Sequence, residues 1–108
     1  MYTGHLFEND DHTWSGPIHK GVERYDCFLI KNDGRSYLEI RPHVKKGISK
    51  RVIETLRVQR TNRSSGPVAL VPHPEHPLCI WPGIKDTDTG RRCFNVKPDR
   101  MPRGNNPF

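Results

Sequence analysis

Apolar positions in this chain come in short bursts, and the clearest alternate with period two. Tyr25-Asp26-Cys27-Phe28-Leu29-Ile30 and Ser36-Tyr37-Leu38-Glu39-Ile40-Arg41 are two such bursts, joined through Asn32-Asp33-Gly34-Arg35. Asp33-Gly34 between β-rich runs predicts a two-residue type I′ turn, because glycine takes positive φ freely and aspartate tolerates it. Counting outward from that turn sets Ile30 opposite Tyr37, Leu29 opposite Leu38, Phe28 opposite Glu39, Cys27 opposite Ile40 and Asp26 opposite Arg41. One face of the hairpin is then apolar, with Cys27, Leu29, Leu38 and Ile40. The other carries the opposite-charge pair Asp26 and Arg41. A slip of one residue would scatter both patterns, so the register is well specified. Pro42 cannot donate to a ladder, so the second strand ends there or lies at an edge.

Beyond a basic connection over 43–47 the pattern shifts towards a helical period. Ser49 reads as an N-cap, with Ile48 and Ile53 at the spacing of a hydrophobic staple. At 100° per residue Val52, Ile53 and Leu56 gather on one side, and Lys50, Glu54 and Arg57 on another. The expectation is an amphipathic basic helix beginning at Ser49 and laid across the hairpin. A rival pattern runs through the same residues. Thr55-Leu56-Arg57-Val58-Gln59-Arg60 alternates as a strand does, with Val68-Ala69-Leu70-Val71 as its partner across a turn at 62–66. The five strands of an OB barrel can be placed only on this rival pattern.

The remaining elements are shorter. His5-Leu6-Phe7 and His12-Thr13-Trp14 read as small strands around the acidic turn 8–11, with Trp14 as a core anchor and a break at Ser15-Gly16-Pro17. Val68 to Val71 reads as a buried strand. Pro72, Pro74, Pro77 and Pro82 make the next stretch stiff and extended around the apolar patch Leu78-Cys79-Ile80-Trp81, which is core or an edge strand. Residues 92–96 form a last short strand. The expected fold is therefore α+β, a small antiparallel β-sheet with one basic amphipathic helix and a Pro-rich C-terminal region. Residues 1–96 make one small domain and 97–108 a flexible tail. With 108 residues, of which 32% are hydrophobic, the core must be thin.

Charge sharpens the picture. The net charge is +6, but residues 1–30 hold two basic and five acidic side chains, whereas 31–66 hold ten basic and three acidic. Such a chain has one positive side. Three cysteines are too few and too odd for a disulfide framework, which points to a reducing compartment. No signal peptide and no apolar run near the ~20 residues of a membrane helix is visible, so the expectation is a soluble cytoplasmic protein with no membrane partner.

Three constellations could carry function. The first is the basic set Arg41, Lys45, Lys46, Lys50, Arg51, Arg57, Arg60 and Arg63. Such clusters bind phosphate backbones because they release condensed counterions, and a basic helix fits a major groove. Tyr37 and Phe28 are stacking surfaces for unpaired bases. This favours a non-enzymatic protein that binds nucleic acid, DNA or RNA, through its helix and hairpin. An acidic protein surface would attract the same cations, so the alternative is a small inhibitor or adaptor, for example a phage-encoded one, acting on an acidic or nucleic-acid-handling protein.

The second is His73, His76, Cys79 and Cys93, four nitrogen and sulfur donors in the number a structural zinc takes. Stiff prolines within the loop and the lack of a Cys-x2-Cys knuckle count against it, so no cofactor is expected, with zinc as the weak alternative. The third is catalytic. His12 or His43, with Glu23 or Glu39 and Arg41, would supply the base, acid and cation of a metal-independent ribonuclease. No spacing singles out a pair, and no nucleophile elbow, phosphate loop or dinucleotide fingerprint is present, so the balance leans away from an enzyme.

Overall fold

The computed structural model describes residues 2–61, 66–83 and 90–99. Within them the chain is all β, a correction to the α+β expectation. Eight strands follow one another: β1 Tyr2–Glu8, β2 Trp14–Lys20, β3 Glu23–Asn32, β4 Arg35–Pro42, β5 Glu54–Arg60, β6 Ala69–Val71, β7 Leu78–Pro82 and β8 Cys93–Pro98. Each pairs antiparallel with the next, and β8 returns to β1 through Gly4↔Val96 and Leu6↔Phe94, closing an up-and-down barrel. Among the described residues there is no helix, and so none long and apolar enough to cross a membrane.

The β3–β4 hairpin forms in the register its alternation predicts, Asp26↔Arg41 through Ile30↔Tyr37. Its turn places Asp33 at φ 52° and Gly34 at φ 76°, both left-handed as type I′ requires. The segment expected to be a basic helix is instead the β4–β5 connection, residues 43–53, followed by β5. The rival alternation is the one realised. Leu56 and Val58 face inward opposite Leu38 and Ser36 of β4, while Arg57 points outward beside Tyr37. On its other side β5 pairs with β6 through Gln59↔Leu70 and Arg60↔Ala69. The would-be apolar stripe lies in water: Ile48 is 60% exposed, Val52 41% and Ile53 39%. A helix here would satisfy one face only. A strand pairs residues 54–58 with β4 and residues 59–60 with β6 and buries Leu56, so tertiary pairing outweighs a local period.

Inward positions of all eight strands fill the barrel. Leu6, Ile18, Cys27, Leu38, Ile40 and Val71 are fully buried, with Leu78, Ile80 and Val96 beside them. Eight strands give an interior just wide enough for side chains to fill, so the thin hydrophobic content suffices. Trp14 packs on this core, its ring centroid 4.6 Å from that of Phe94. Ser15-Gly16-Pro17, expected as a break, lies within β2. Gly16 and Gly4 let β1 and β2 approach closely: a Cβ on Gly4 would lie 2.2 Å from the Pro17 carbonyl oxygen, and one on Gly16 2.1 Å from that of His5. Closure needs this approach, since strands in a barrel must coil tightly. β8 runs through Lys97 to Pro98, past the expected start of the tail, and residues 100–108 lie outside the described set.

Candidate functional site

With the interior filled by side chains, chemistry is left to the barrel's ends and its outer wall. The β2–β3, β4–β5 and β6–β7 connections share one end, and the other four connections share the opposite end.

The basic set is distributed over a loop and a strand rather than a helix face. Lys45, Lys46, Lys50 and Arg51 are exposed on the 43–53 loop. That loop is drawn back along the outside of β4. Arg41 Nη1 donates to the Ser49 carbonyl at 2.7 Å, and Ile53 N–H to the Ile40 carbonyl at 2.8 Å. Arg41 itself is committed to structure, paired with Glu39 and set 5.5 Å over the Phe28 ring. Arg57 is exposed in mid-β5 and Arg60 at its far end; Arg63 lies outside the described residues. Among the described residues no carboxylate is within ion-pair reach of Lys45, Lys46, Lys50, Arg51, Arg57 or Arg60.

The nearby acids are engaged elsewhere. Glu8 takes Arg92 at 2.6 Å, and that guanidinium holds its carboxyl below the ordinary value. Asp26 lies 3.3 Å from His43. Asp11 accepts from the hydroxyl and backbone N–H of Thr13, at 2.5 and 3.1 Å, which also keeps it low. Asp10 and Asp11 do line the same hollow as Ile48, so the acidic turn sits beside the basic loop without pairing with it.

A network that the spacing did not reveal plugs the first end. Tyr2 O–H donates to Glu54 Oε2 at 2.7 Å, and His73 Nε2 meets Glu54 Oε1 at 3.0 Å. His73 Nδ1 accepts the backbone N–H of Glu75 and of His76, at 3.1 and 2.9 Å. Its proton therefore lies on Nε2 and is donated to Glu54. Burial pushes the Glu54 carboxyl up, but the bonds from Tyr2 and His73 together hold it below its ordinary value. Burial, then the bond to Glu54, raises the Tyr2 phenol well above its own. Lys20 Nζ lies 5.5 Å over the Tyr2 ring. Both nitrogens of His73 and both oxygens of Glu54 are used, so this arrangement is a closed structural brace with no free base. The three positions are 52 and 19 residues apart, a distance at which no local pattern speaks.

The other candidate sets are not assembled. Cys79 faces Lys97 in the β7–β8 ladder, four residues along β8 from Cys93, or roughly 13 Å at ~3.3 Å per residue. His73 and His76 stack on each other at 5.7 Å at the first end, while Cys93 starts β8 at the other. No group of three or more His, Cys, Asp or Glu side chains that could hold a metal occurs among the described residues. His12 belongs to the β1–β2 loop and lies 3.8 Å from Glu8, whereas His43 is beside Asp26. Glu39 takes Arg41 and Glu23 takes the Tyr25 hydroxyl. The expected histidine–glutamate pairings are thus not formed.

A concavity of about 930 Å³ lies on the outer wall where β1, β2, β7 and β8 meet. Outward side chains Thr3, His5, His19, Trp81, Asn95 and Lys97 line it. His5, Asn95 and Trp81 form one cross-strand row, through His5↔Asn95 and Trp81↔Asn95. Comparison with protein-family models, curated proteins and solved structures finds no match to this chain.

Proposed function

We propose that this protein is a non-enzymatic binding protein for nucleic acid, and that it docks through the outer wall of its barrel. The observation that carries the reading is the set of exposed cations on the 43–53 loop and β5, which have no carboxylate partner among the described residues. A phosphate backbone rewards unpaired, solvated Lys and Arg, because each contact releases a counterion. The positive surface is loop and strand, not helix, so groove insertion by a helix plays no part. Tyr37 lies beside Arg57 across the β4–β5 ladder, which sets an aromatic ring next to a guanidinium on the wall. The thiols of Cys27 and Cys93 are unoxidised, which fits a reducing compartment, and the cytoplasm is the location we infer.

The test is fluorescence anisotropy of a labelled oligonucleotide at low salt. Binding should be seen with the native chain and fall at least tenfold when Lys45, Lys46, Lys50 and Arg51 are all changed to Gln. Unchanged affinity in that variant would remove the loop from the interface.

A second reading rests on one observation. Ile48, Val52 and Ile53 are exposed on the same loop as the cations, and phosphates gain nothing from exposed aliphatic groups. An acidic protein with apolar anchors would use both. Affinity capture from lysate with and without nuclease separates the two, since a protein partner persists after nuclease treatment.

A further inference from the structure

We infer that the concavity on the β1–β8–β7 wall is a seat for an unpaired base of a single-stranded oligonucleotide. The inference rests on the nucleic-acid reading above and adds to it a strand state and a second contact site. The barrel places three kinds of group there that such a ligand needs. Trp81 is 36% exposed, an indole face held on a strand rather than on a loop. Every base has a π face, so an indole accepts a base without regard to sequence. Trp81 shares this wall with the polar side chains Thr3, His5, His19 and Asn95, so its ring has hydrogen-bonding groups close to its rim.

The neighbours of Trp81 supply a polar edge. His5 Nδ1 lies 2.8 Å from Asn95 Oδ1. A carbonyl oxygen only accepts, so the proton is on Nδ1 and His5 Nε2 is left as an acceptor. The Asn95 Nδ2 donors have no partner among the described residues. One acceptor and one donor therefore flank the indole in the same cross-strand row. They suit the edge of a flat heterocycle, which carries both kinds of group.

Charge supplies the third element. Lys97 is exposed on the same wall, faces Cys79 across the ladder, and forms no ion pair among the described residues. It supplies the concavity with a cation for the phosphate of a seated nucleotide. The wall continues towards the basic strand. A second hollow, lined by Gln59, Leu70, Pro72 and Pro77, meets the first at Asp99, which lines both. Gln59 is two residues from Arg57, so a strand seated at Trp81 can run towards the cations of β5. Asp99 places one carboxylate along that route, which sets a limit on how closely a phosphate passes it. A duplex hides its base faces and cannot use the indole, so the site selects single strands.

The experiment uses the full chain with Trp14→Phe, which leaves Trp81 as the emitting indole, and 12-mer oligonucleotides, deoxy and ribo, single-stranded or annealed. Single strands should quench Trp81 emission and bind more tightly than duplex. Trp81→Ala should weaken single-strand binding about tenfold or more while leaving duplex binding within twofold. Asn95→Ala should weaken the single strand less than Trp81→Ala does. Circular dichroism and thermal melting of each variant establish that the barrel is intact. Salt-sensitive binding of single strand and duplex alike, with no quenching, would overturn the groove and leave the charge reading standing. Failure of every oligonucleotide to bind would overturn both.

Discussion

At the residue scale, the Tyr2–Glu54–His73 brace makes the sharpest demands on side-chain identity. Tyr2→Phe removes one hydrogen bond to a charged acceptor and should cost about 1–2 kcal/mol in urea unfolding at pH 7. Glu54 has a depressed pKa in the folded state, so its contribution is fully present above its unfolded value, ~4.3. That contribution is lost as pH falls through that value and below it. Glu54→Gln should therefore be less stable than the native chain at pH 7, with the difference shrinking below about pH 4. A constant difference across that window would show that Glu54 is not charged in the brace. Cys27 behaves in the opposite sense. Burial pushes its thiol up to about 12, so the folded state resists ionisation while the unfolded thiol ionises from about pH 8.5. Alkylation of Cys27 in the native protein at pH 8.5 should be far slower than that of Cys93, which is only partly buried, and should equalise in denaturant.

At the element scale, the barrel depends on close approach at one seam and is thin at another. Gly4→Ala or Gly16→Ala drives a methyl into a backbone carbonyl oxygen. Each carbonyl belongs to a residue held in register by the strand on its other side, His5 by β8 and Pro17 by β3, so each change should cost about 3 kcal/mol or more, read as a lower urea midpoint. Gly34→Ala meets nothing within 4 Å but must hold φ near +76°, so it should cost only about 1 kcal/mol. β6 has three residues and shares only two Cα partners with β5. Amides of Ala69 and Leu70 should therefore exchange with solvent faster than those of Cys27 and Leu38.

What the chain made legible also divides by element. The β3–β4 register was readable because a two-residue turn leaves one pairing and both faces punish a slip. The period at 48–56 was misleading because Ile48, Val52, Ile53 and Leu56 match a helical stripe by chance, while the alternation of 55–60 needs β4 and β6 on either side to be realised. Of the basic set, the charge was readable and its placement was not, because a loop folded back through Arg41 and Ser49 has no sequence period. The Tyr2–Glu54 bond and the His5–Asn95 pair bring together residues 52 and 90 positions apart, which no local pattern links.

At the scale of the whole molecule, closure explains why so small and polar a chain can stand as a domain. A closed sheet has no edge to protect, and one layer of inward side chains fills it. The same closure leaves an outer wall on which, among the described residues, loop and strand cations have no carboxylate partner on one side and an indole is exposed on another. The salt dependence of oligonucleotide affinity tests this most directly. If the Lys45, Lys46, Lys50 and Arg51 ammonium and guanidinium groups sit on phosphates, log affinity falls linearly with log salt, and changing all four to Gln makes that slope shallower by about three units for a single strand. A slope that is the same in both chains, or an affinity indifferent to salt, would contradict the account.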